Sequence, residues 1–167
     1  MNRSFEPACR EESGVLSETM GIGYRVVTSP PTTIAVWDSV VTPPEFQAHL
    51  ERLRADPEAA GSALFLTDLT TFATPAPGAI ESAAGGFAQQ LASRSHTVRW
   101  AIVADAVFWD AVDFEKLVAG EVKDIVVFND LETACRWLGI GLADARAIVD
   151  DLRSQIRARD AGTVSPS

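Results

Sequence analysis

Hydrophobic and polar positions along this chain follow two periods, one typical of strands and one typical of helices. Five runs of β-branched and other apolar residues, bounded by turn-forming residues, predict strands over 24–29, 32–39, 62–69, 98–105 and 124–129. After the second strand and each later one, apolar residues recur at every third or fourth position, which predicts a helix with one buried face. The order ββαβαβαβα therefore indicates an α/β fold with a single-layer β-sheet of about five strands.

The connections between the strands predict a mixed sheet. Pro30 and Pro31 separate the first two strands and leave no room for a crossover helix, so we expect this pair to be antiparallel. Each later strand is reached through a helix, which is the connection that parallel strands need.

Two helices carry start and stop signals in the sequence. Thr42 and Glu45 have the spacing of a capping box, in which each side chain bonds the backbone N–H of the other residue. In the stretch VVFNDLETACRWLGI, Asn129 or Asp130 is the predicted N-cap and Gly139 is the predicted stop. These signals specify how the chain folds, but they imply no chemistry.

The two ends of the chain differ in composition from the rest. Residues 1–20 are polar and acidic without a period, so we expect a disordered or loosely packed tail, within which Met20 is an alternative translation start. The main domain is predicted over 21–140, followed by an extra C-terminal helix over 141–160 and a frayed tail over 161–167.

The extra C-terminal helix carries an apolar stripe whose spacing resembles a short heptad pattern. Two interpretations stay open: the helix packs back on its own domain, or the stripe joins two copies in a homodimer. The candidate dimer contact consists of Leu142, Val149, Leu152 and Ile156.

Charge and composition argue against several classes of function. The chain is 47% hydrophobic, which suffices for a core, and its formal net charge is -9 at pH 7. Nucleic-acid binding needs Lys and Arg to neutralise phosphates, so this acidic balance argues against it. No apolar run reaches the ~18 residues of a membrane-spanning helix. Cys9 lies in the polar tail and Cys135 in an apolar helical stripe, which predicts no disulfide and fits a reducing cytoplasm.

Three stretches carry a resemblance to a known family: FLTDLTTF with PGA at 77–79 after it, RWAIVAD, and IVVFNDLETACRWLG. Over about 22–140 they resemble the STAS fold (sulfate transporter and anti-sigma factor antagonist), and more closely its SpoIIAA-like branch. The resemblance implies a non-catalytic, regulatory or protein-interaction domain of the bacterial cytoplasm. It also implies an alternative, since other SpoIIAA-like proteins look like carriers of a small apolar ligand or lipid, or have no assigned role.

Phosphorylation is the switch that this resemblance implies. The family's phosphoacceptor is a Ser or Thr in an Asp-Ser pair before the second helix, and the corresponding loop here, TTFATPAPG, lacks such a pair. Thr74 in this loop is the candidate phosphoacceptor, because a phosphate near a helix N-terminus changes the local charge. The other interpretation is that Thr74 is a polar turn residue.

Acidic residues fall at or just past several strand ends. The carboxyl edge of parallel strands is where ligands usually bind in α/β sheets, so clustered carboxylates there could hold Mg²⁺. Asp38, Asp68 and Asp105 are weak candidates for such a site, which would support a Mg-dependent phosphoacceptor. Asp is also a preferred cap and loop residue at these junctions, and we therefore predict no metal.

Aromatic residues are crowded in the helix-forming stretch VFWDAVDF. An amphipathic helix needs only one apolar face, so either the helix is buried on two sides or Phe108 and Trp109 contact a protein partner or lipid. Phe87 and Thr74 on neighbouring segments complete the candidate partner- or ligand-binding residues.

Catalysis has little support in the sequence. His49 lies beside the apolar face of the first helix and His96 precedes a strand, and we expect both at the surface or at its boundary. The sequence contains no nucleophile elbow, dinucleotide fingerprint or Walker A motif. We therefore expect a non-enzymatic protein without a cofactor.

Overall fold

The fold is built on one five-stranded sheet. A computed structural model describes residues 21–92, 94, 97–120, 122 and 124–162. The strands lie side by side in chain order: β1 Ile22–Thr28, β2 Pro31–Ser39, β3 Leu64–Phe72, β4 Arg99–Val103 and β5 Asp124–Phe128. β1 and β2 pair antiparallel, and the other three pairs are parallel, which confirms the predicted mixed α/β sheet.

Helices cover both faces of the sheet. Their bounds are α1 Pro43–Ala55, α2 Pro57–Gly61, α3 Ala79–Ala92, α4 Phe108–Val118, α5 Leu131–Leu138 and α6 Leu142–Gly162. Residues of α1 to α4 form one buried cluster with the sheet, and residues of α5 and α6 form a second cluster on the opposite face. Because successive strand residues point to opposite faces, Trp100 and Ile102 of β4 enter the first cluster while Ala101 and Val103 enter the second.

The predicted helix signals are present in the structure. The Thr42 backbone N–H donates to Glu45 Oε2 over 2.6 Å, and the Glu45 backbone N–H donates to Thr42 Oγ1 over 3.4 Å, which closes the capping box. Asp130, rather than Asn129, caps α5 by accepting from the Thr133 backbone N–H at 2.7 Å. Gly139 ends that helix with a φ of 76°, a left-handed conformation that glycine adopts without strain.

The apolar stripe of α6 packs on the chain's own sheet. Val149, Leu152 and Ile156 are buried in the second cluster, against Ile34 and Val36 of β2 among others. Leu142 packs at the margin of the same cluster. The first of the two sequence interpretations matches the position of these side chains, and the homodimer stays a prediction.

The structure describes only a small part of the two predicted tails. Helix α6 extends to Gly162, two residues beyond the predicted end at 160 and into the predicted frayed tail. The predicted tail over 1–20 and the positions after 162 lie outside the described residues. Within the described ranges, no helix combines the length and apolar character needed to cross a bilayer.

Candidate functional site

A cavity opens at the carboxyl edge of the sheet, on the face covered by α1, α3 and α4. It has a volume of about 160 Å³ and is bounded by the segments that follow β2, β3 and β4. The carboxyl edge is the position at which α/β sheets usually bind ligands. We call this cavity the apolar pocket, and its walls include Trp37, Phe46, Leu69, Phe87, Trp100 and Phe114.

Aromatic rings form one continuous wall of the apolar pocket. The centroid of the Phe87 ring lies 4.8 Å from that of Trp100, 5.3 Å from that of Phe46 and 5.8 Å from that of Phe114. Trp37 adds a further contact to Phe46 at 5.5 Å. These distances lie in the range at which edge-to-face and offset ring pairs attract each other, so the wall is held by its own contacts.

Gly86 explains how α1 and α3 come close enough to enclose the pocket. A Cβ atom at this position would lie 2.7 Å from Leu50 Cδ1 and 3.3 Å from Phe46 Cε1, so a larger residue would require the Leu50 side chain to move. The neighbouring Gly85 has no atom within 4 Å of such a Cβ. Close packing is therefore the structural role of Gly86.

Few polar groups line the apolar pocket. The Trp100 indole N–H donates to Thr67 Oγ1 over 3.0 Å, and both residues are buried. Trp37 Nε1 is buried and has no hydrogen-bond partner among the described residues. Asp110 is the one ionisable side chain among the described residues of the lining. The pocket thus offers apolar surface with isolated hydrogen-bonding groups.

Two of the four predicted partner- or ligand-binding residues line this pocket. Phe87 contributes a wall, and Thr74 lies at the exposed rim on the loop between β3 and α3. Phe108 and Trp109 are not part of the lining. Phe108 is half-buried, whereas the Trp109 side chain is 76% exposed and its ring stands edge-on to Phe108 with a centroid distance of 5.4 Å.

The acidic strand ends point away from the pocket, toward α6. Asp38 accepts from Arg157 Nε over 2.9 Å, and Asp68 accepts from Arg153 over 3.0 Å. Asp105 lies exposed in the turn after β4. The part of the chain that the structure describes contains no group of three His, Cys, Asp or Glu residues placed to hold a metal ion. The three candidates therefore form no three-ligand group, and arginines of α6 pair with two of them, Asp38 and Asp68.

His49 lies in the core, contrary to the expectation of a surface or boundary position. It is 1% exposed, and its ring stands edge-on to Tyr24 at 5.7 Å and to Trp37 at 6.2 Å. Burial, with a smaller contribution from the nearby positive charge of Arg52, lowers the pKa of His49 to about 3. The imidazole is therefore neutral at pH 7 and serves as a core side chain. His96 lies outside the described residues.

Cys135 is a core residue of α5. The side chain is 1% exposed within the second cluster, and burial raises the pKa of its thiol. A thiol held protonated in an apolar environment is a poor nucleophile, as the sequence interpretation expected.

The architecture and the site define an α/β domain with an apolar pocket, and comparison with known proteins identifies the fold more closely. No protein-family model matches this sequence, and a search of the curated proteins finds no significant relative. Among solved structures, the chain is similar to an uncharacterised protein with a SpoIIAA-like fold from Shewanella loihica PV-4, with a TM-score of 0.54 and 17% identity. That alignment covers 73% of this chain and 97% of the other.

A second similar structure is an anti-sigma factor antagonist from Mycobacterium paratuberculosis. The TM-score is 0.48 at 12% identity, and the alignment covers 74% of this chain and 99% of that one. The similarity to the Shewanella loihica protein and the mixed five-stranded sheet show that this chain has a SpoIIAA-like fold. This confirms the fold expected from the sequence resemblance.

Proposed function

We propose that this chain is a non-catalytic SpoIIAA-like domain that binds a small apolar molecule in the apolar pocket. The observation that carries the proposal is the cavity itself, which aromatic and aliphatic side chains enclose at the carboxyl edge of the sheet. Well-packed proteins keep few voids of this size in their cores. An apolar cavity that remains open in the folded chain is therefore the default candidate for a binding site.

The volume of the pocket limits the size of its ligand. A cavity of about 150 Å³ lined by apolar side chains is known to hold benzene, and the apolar pocket measures about 160 Å³. A molecule the size of a substituted benzene ring fits within the walls. A longer molecule would extend through the opening near Thr74 and the loop that follows β2.

The lining supports binding rather than catalysis. Acid–base and nucleophilic mechanisms need at least one titratable or nucleophilic group in hydrogen-bond reach of another. Among the described residues of the lining, Asp110 is the one ionisable side chain, and Cys135 and His49 are not part of the lining. We place this binding function in the bacterial cytoplasm, as the sequence resemblance implies.

Filling the pocket tests this proposal. Ala83 of α3 lines the cavity, so Ala83→Phe is expected to occupy it and to abolish binding of ethylbenzene, measured by isothermal titration calorimetry. Gln89→Phe adds the same side chain at an exposed position of the same helix and is expected to bind ethylbenzene like the unmodified chain. Equal binding by both variants would place the ligand elsewhere, and absence of binding by the unmodified chain would overturn the proposal.

Protein interaction through α4 is the second candidate function. The observation that favours it is the 76% exposure of Trp109, since tryptophan is enriched among the residues that carry the binding energy of protein interfaces. In this case the pair Phe108 and Trp109 contacts a regulatory protein partner. Trp109→Ala is then expected to remove a partner that co-purifies with the full chain, while Ala83→Phe retains it; the opposite pattern would exclude α4 as the contact.

A further inference from the structure

One acidic residue lies among the apolar walls of the pocket. Asp110 of α4 lines the cavity together with Val107, Ala111 and Phe114 of the same helix. The last three of these positions follow Val107 by three, four and seven residues, which is the spacing of side chains that share one face of a helix. Trp109 is not part of the lining and is 76% exposed on another face of α4. The helix face that carries Asp110 is therefore the face that borders the pocket.

Asp110 lies at the edge of the aromatic wall. Phe114 follows one turn later on α4, and its ring centroid lies 5.6 Å from that of Trp100 and 5.8 Å from that of Phe87. Side chains four positions apart on a helix are neighbours, with about 5–6 Å between their Cβ atoms. Asp110 is only half-buried, so solvent reaches it. A ligand that contacts the Phe114 ring thus has an acidic residue beside it at the rim of the cavity.

The protein supplies no positive partner for Asp110 in the part of the chain that the structure describes. No Lys, Arg or His is among the described residues of the lining, and Asp110 takes part in none of the ion pairs between described residues. Asp38 and Asp68 differ in this respect, since each pairs with an arginine of α6. Asp110 is therefore the negative charge of the pocket, and its counter-ion can come from a ligand.

We propose that the ligand of the apolar pocket is an organic cation, an amine with an apolar body, whose ammonium group pairs with Asp110. This inference rests on the function proposed above and deepens it by naming the chemical class of the ligand. The aromatic wall favours the same charge, because ammonium groups are attracted to the faces of Trp and Phe rings. The apolar body of the amine fills the cavity, and the ammonium group stays at the rim beside the carboxylate.

Charge in and around the pocket selects against anionic ligands. A carboxylate in the cavity would lie beside Asp110 and would leave water without a positive partner, which is strongly unfavourable in an apolar site. The formal net charge of -9 acts in the same direction, because it attracts cations and repels anions over a longer range. The inference therefore excludes free fatty acids as the favoured class.

Asp110 also has a structural role, which affects stability rather than ligand preference. It lies in the first turn of α4, where an acidic side chain stabilises the helix through the helix dipole. Replacement of Asp110 by Asn is thus expected to lower stability slightly whatever binds in the pocket. A difference in affinity between a cationic and a neutral ligand is the quantity that this structural role does not change.

Three probes of similar shape differ in charge. At pH 7, 2-phenylethylamine is a cation, 2-phenylethanol is neutral and 3-phenylpropionate is an anion. Calorimetric titration of the unmodified chain is expected to give the amine about 10-fold tighter binding than the alcohol and to give the anion the weakest binding. This value is the lower end of the effect of a hydrogen bond to a charged group, because solvent screens Asp110. Equal affinities for amine and alcohol, or tightest binding of the anion, would overturn the inference.

Matched variants locate the charge preference at Asp110. Asp110→Asn is expected to bind the amine and the alcohol with equal affinity, whereas Asp110→Glu keeps the charge and is expected to keep the preference. Asp113→Asn is the control, because it changes the net charge equally at an exposed position of α4 that is not part of the lining. It is expected to keep the 10-fold preference. A preference that survives in Asp110→Asn, or that Asp113→Asn also removes, would overturn the inference.

Nuclear magnetic resonance locates the ammonium group without a variant that must fold. In the unmodified chain, nuclear Overhauser effects are expected between the CH₂ group next to the nitrogen of 2-phenylethylamine and the β-protons of Asp110. The phenyl ring is expected to give such effects with the rings of Phe87 and Phe114. Effects from that CH₂ group to other residues alone would overturn the inference.

Ethylbenzene separates this inference from the function on which it rests. If ethylbenzene binds, Ala83→Phe abolishes that binding and the amine has no advantage over the alcohol, the ligand class is wrong and the pocket is still a binding site. If neither ethylbenzene nor any of the three charged and neutral probes binds the unmodified chain, the proposed function is wrong as well.

Discussion

The ion pair between Arg153 of α6 and Asp68 of β3 gives the clearest stability prediction. Asp68 is 3% exposed and accepts from Arg153 over 3.0 Å, and Arg153 also donates to Thr70 Oγ1 over 3.0 Å. Arg153→Met keeps most of the apolar stem and removes the charge. Asp68 is then left buried, with Thr70 as its remaining partner through the backbone N–H at 3.1 Å and the hydroxyl at 2.7 Å.

The expected loss follows from the burial of the pair. Removing one partner of a fully buried ion pair costs about 3–5 kcal/mol, and the 18% exposure of the Arg153 side chain places the loss near the lower end, about 3 kcal/mol. For a domain of this size, that corresponds to a decrease in Tm of roughly 6–12 °C. Arg136→Met is the matched control, because Arg136 pairs with Glu132 at 2.8 Å on the exposed surface of α5 and is expected to cost about 0.5 kcal/mol.

Urea unfolding followed by circular dichroism measures both variants. The double variant Arg153→Met, Asp68→Leu removes both charges and is expected to recover stability to within about 1 kcal/mol of the unmodified chain, as found for other buried pairs replaced by apolar residues. Two results would refute this reasoning: a loss in Arg153→Met no larger than that in Arg136→Met, or no recovery in the double variant.

Three further predictions concern other parts of the fold. Trp109→Ala is expected to change the free energy of unfolding by less than about 0.5 kcal/mol, because the side chain is 76% exposed. Trp100→Ala is expected to cost about 3–5 kcal/mol, because Trp100 is only 3% exposed. Similar losses for the two variants in urea unfolding would contradict the assigned positions. Gly139→Ala is expected to lower stability by about 1–2 kcal/mol because of the φ of 76°, and an unchanged Tm would contradict this. The folded-state pKa of His49, about 3, lies below the unfolded value of 6.5, so its contribution to stability is present above pH 6.5 and is lost as pH falls toward 3. Between pH 7 and pH 5 the unmodified chain is expected to lose about 2 kcal/mol more than His49→Leu, and parallel losses of the two would show that His49 does not titrate in this way.

Local sequence patterns were sufficient to predict most of the fold. The strands are recognised by their β-branched runs and the helices by their period, and the end signals at Thr42 and Gly139 act within a few residues of where they occur. The same reasoning placed the acidic residues at strand ends. It did not reveal their partners, since the arginines that pair with Asp38 and Asp68 lie 119 and 85 positions further along the chain.

The pocket and the buried histidine depend on contacts that no local pattern records. His49 has the helical spacing of a boundary residue, and it is buried because rings from β1 and β2 close over it. The pocket likewise arises where segments after three different strands meet. Alternation along β2 could have shown that Trp37 and Asp38 face opposite sides of the sheet, but not that the side of Trp37 contains a cavity.

On two strands, adjacent residues serve opposite faces of the sheet. These pairs are Trp37 and Asp38 on β2, and Thr67 and Asp68 on β3. In each pair the first residue lines the apolar pocket and the second binds an arginine of α6. Each of the two strands therefore carries part of the pocket wall and part of the anchor of α6 in one backbone. We predict that occupancy of the pocket and docking of α6 are coupled, in which case each changes the free energy of the other by the same amount. Amide hydrogen exchange in α6 tests this prediction: a molecule bound in the pocket is expected to slow exchange on the far face of the sheet, and unchanged exchange would show that the two are not coupled.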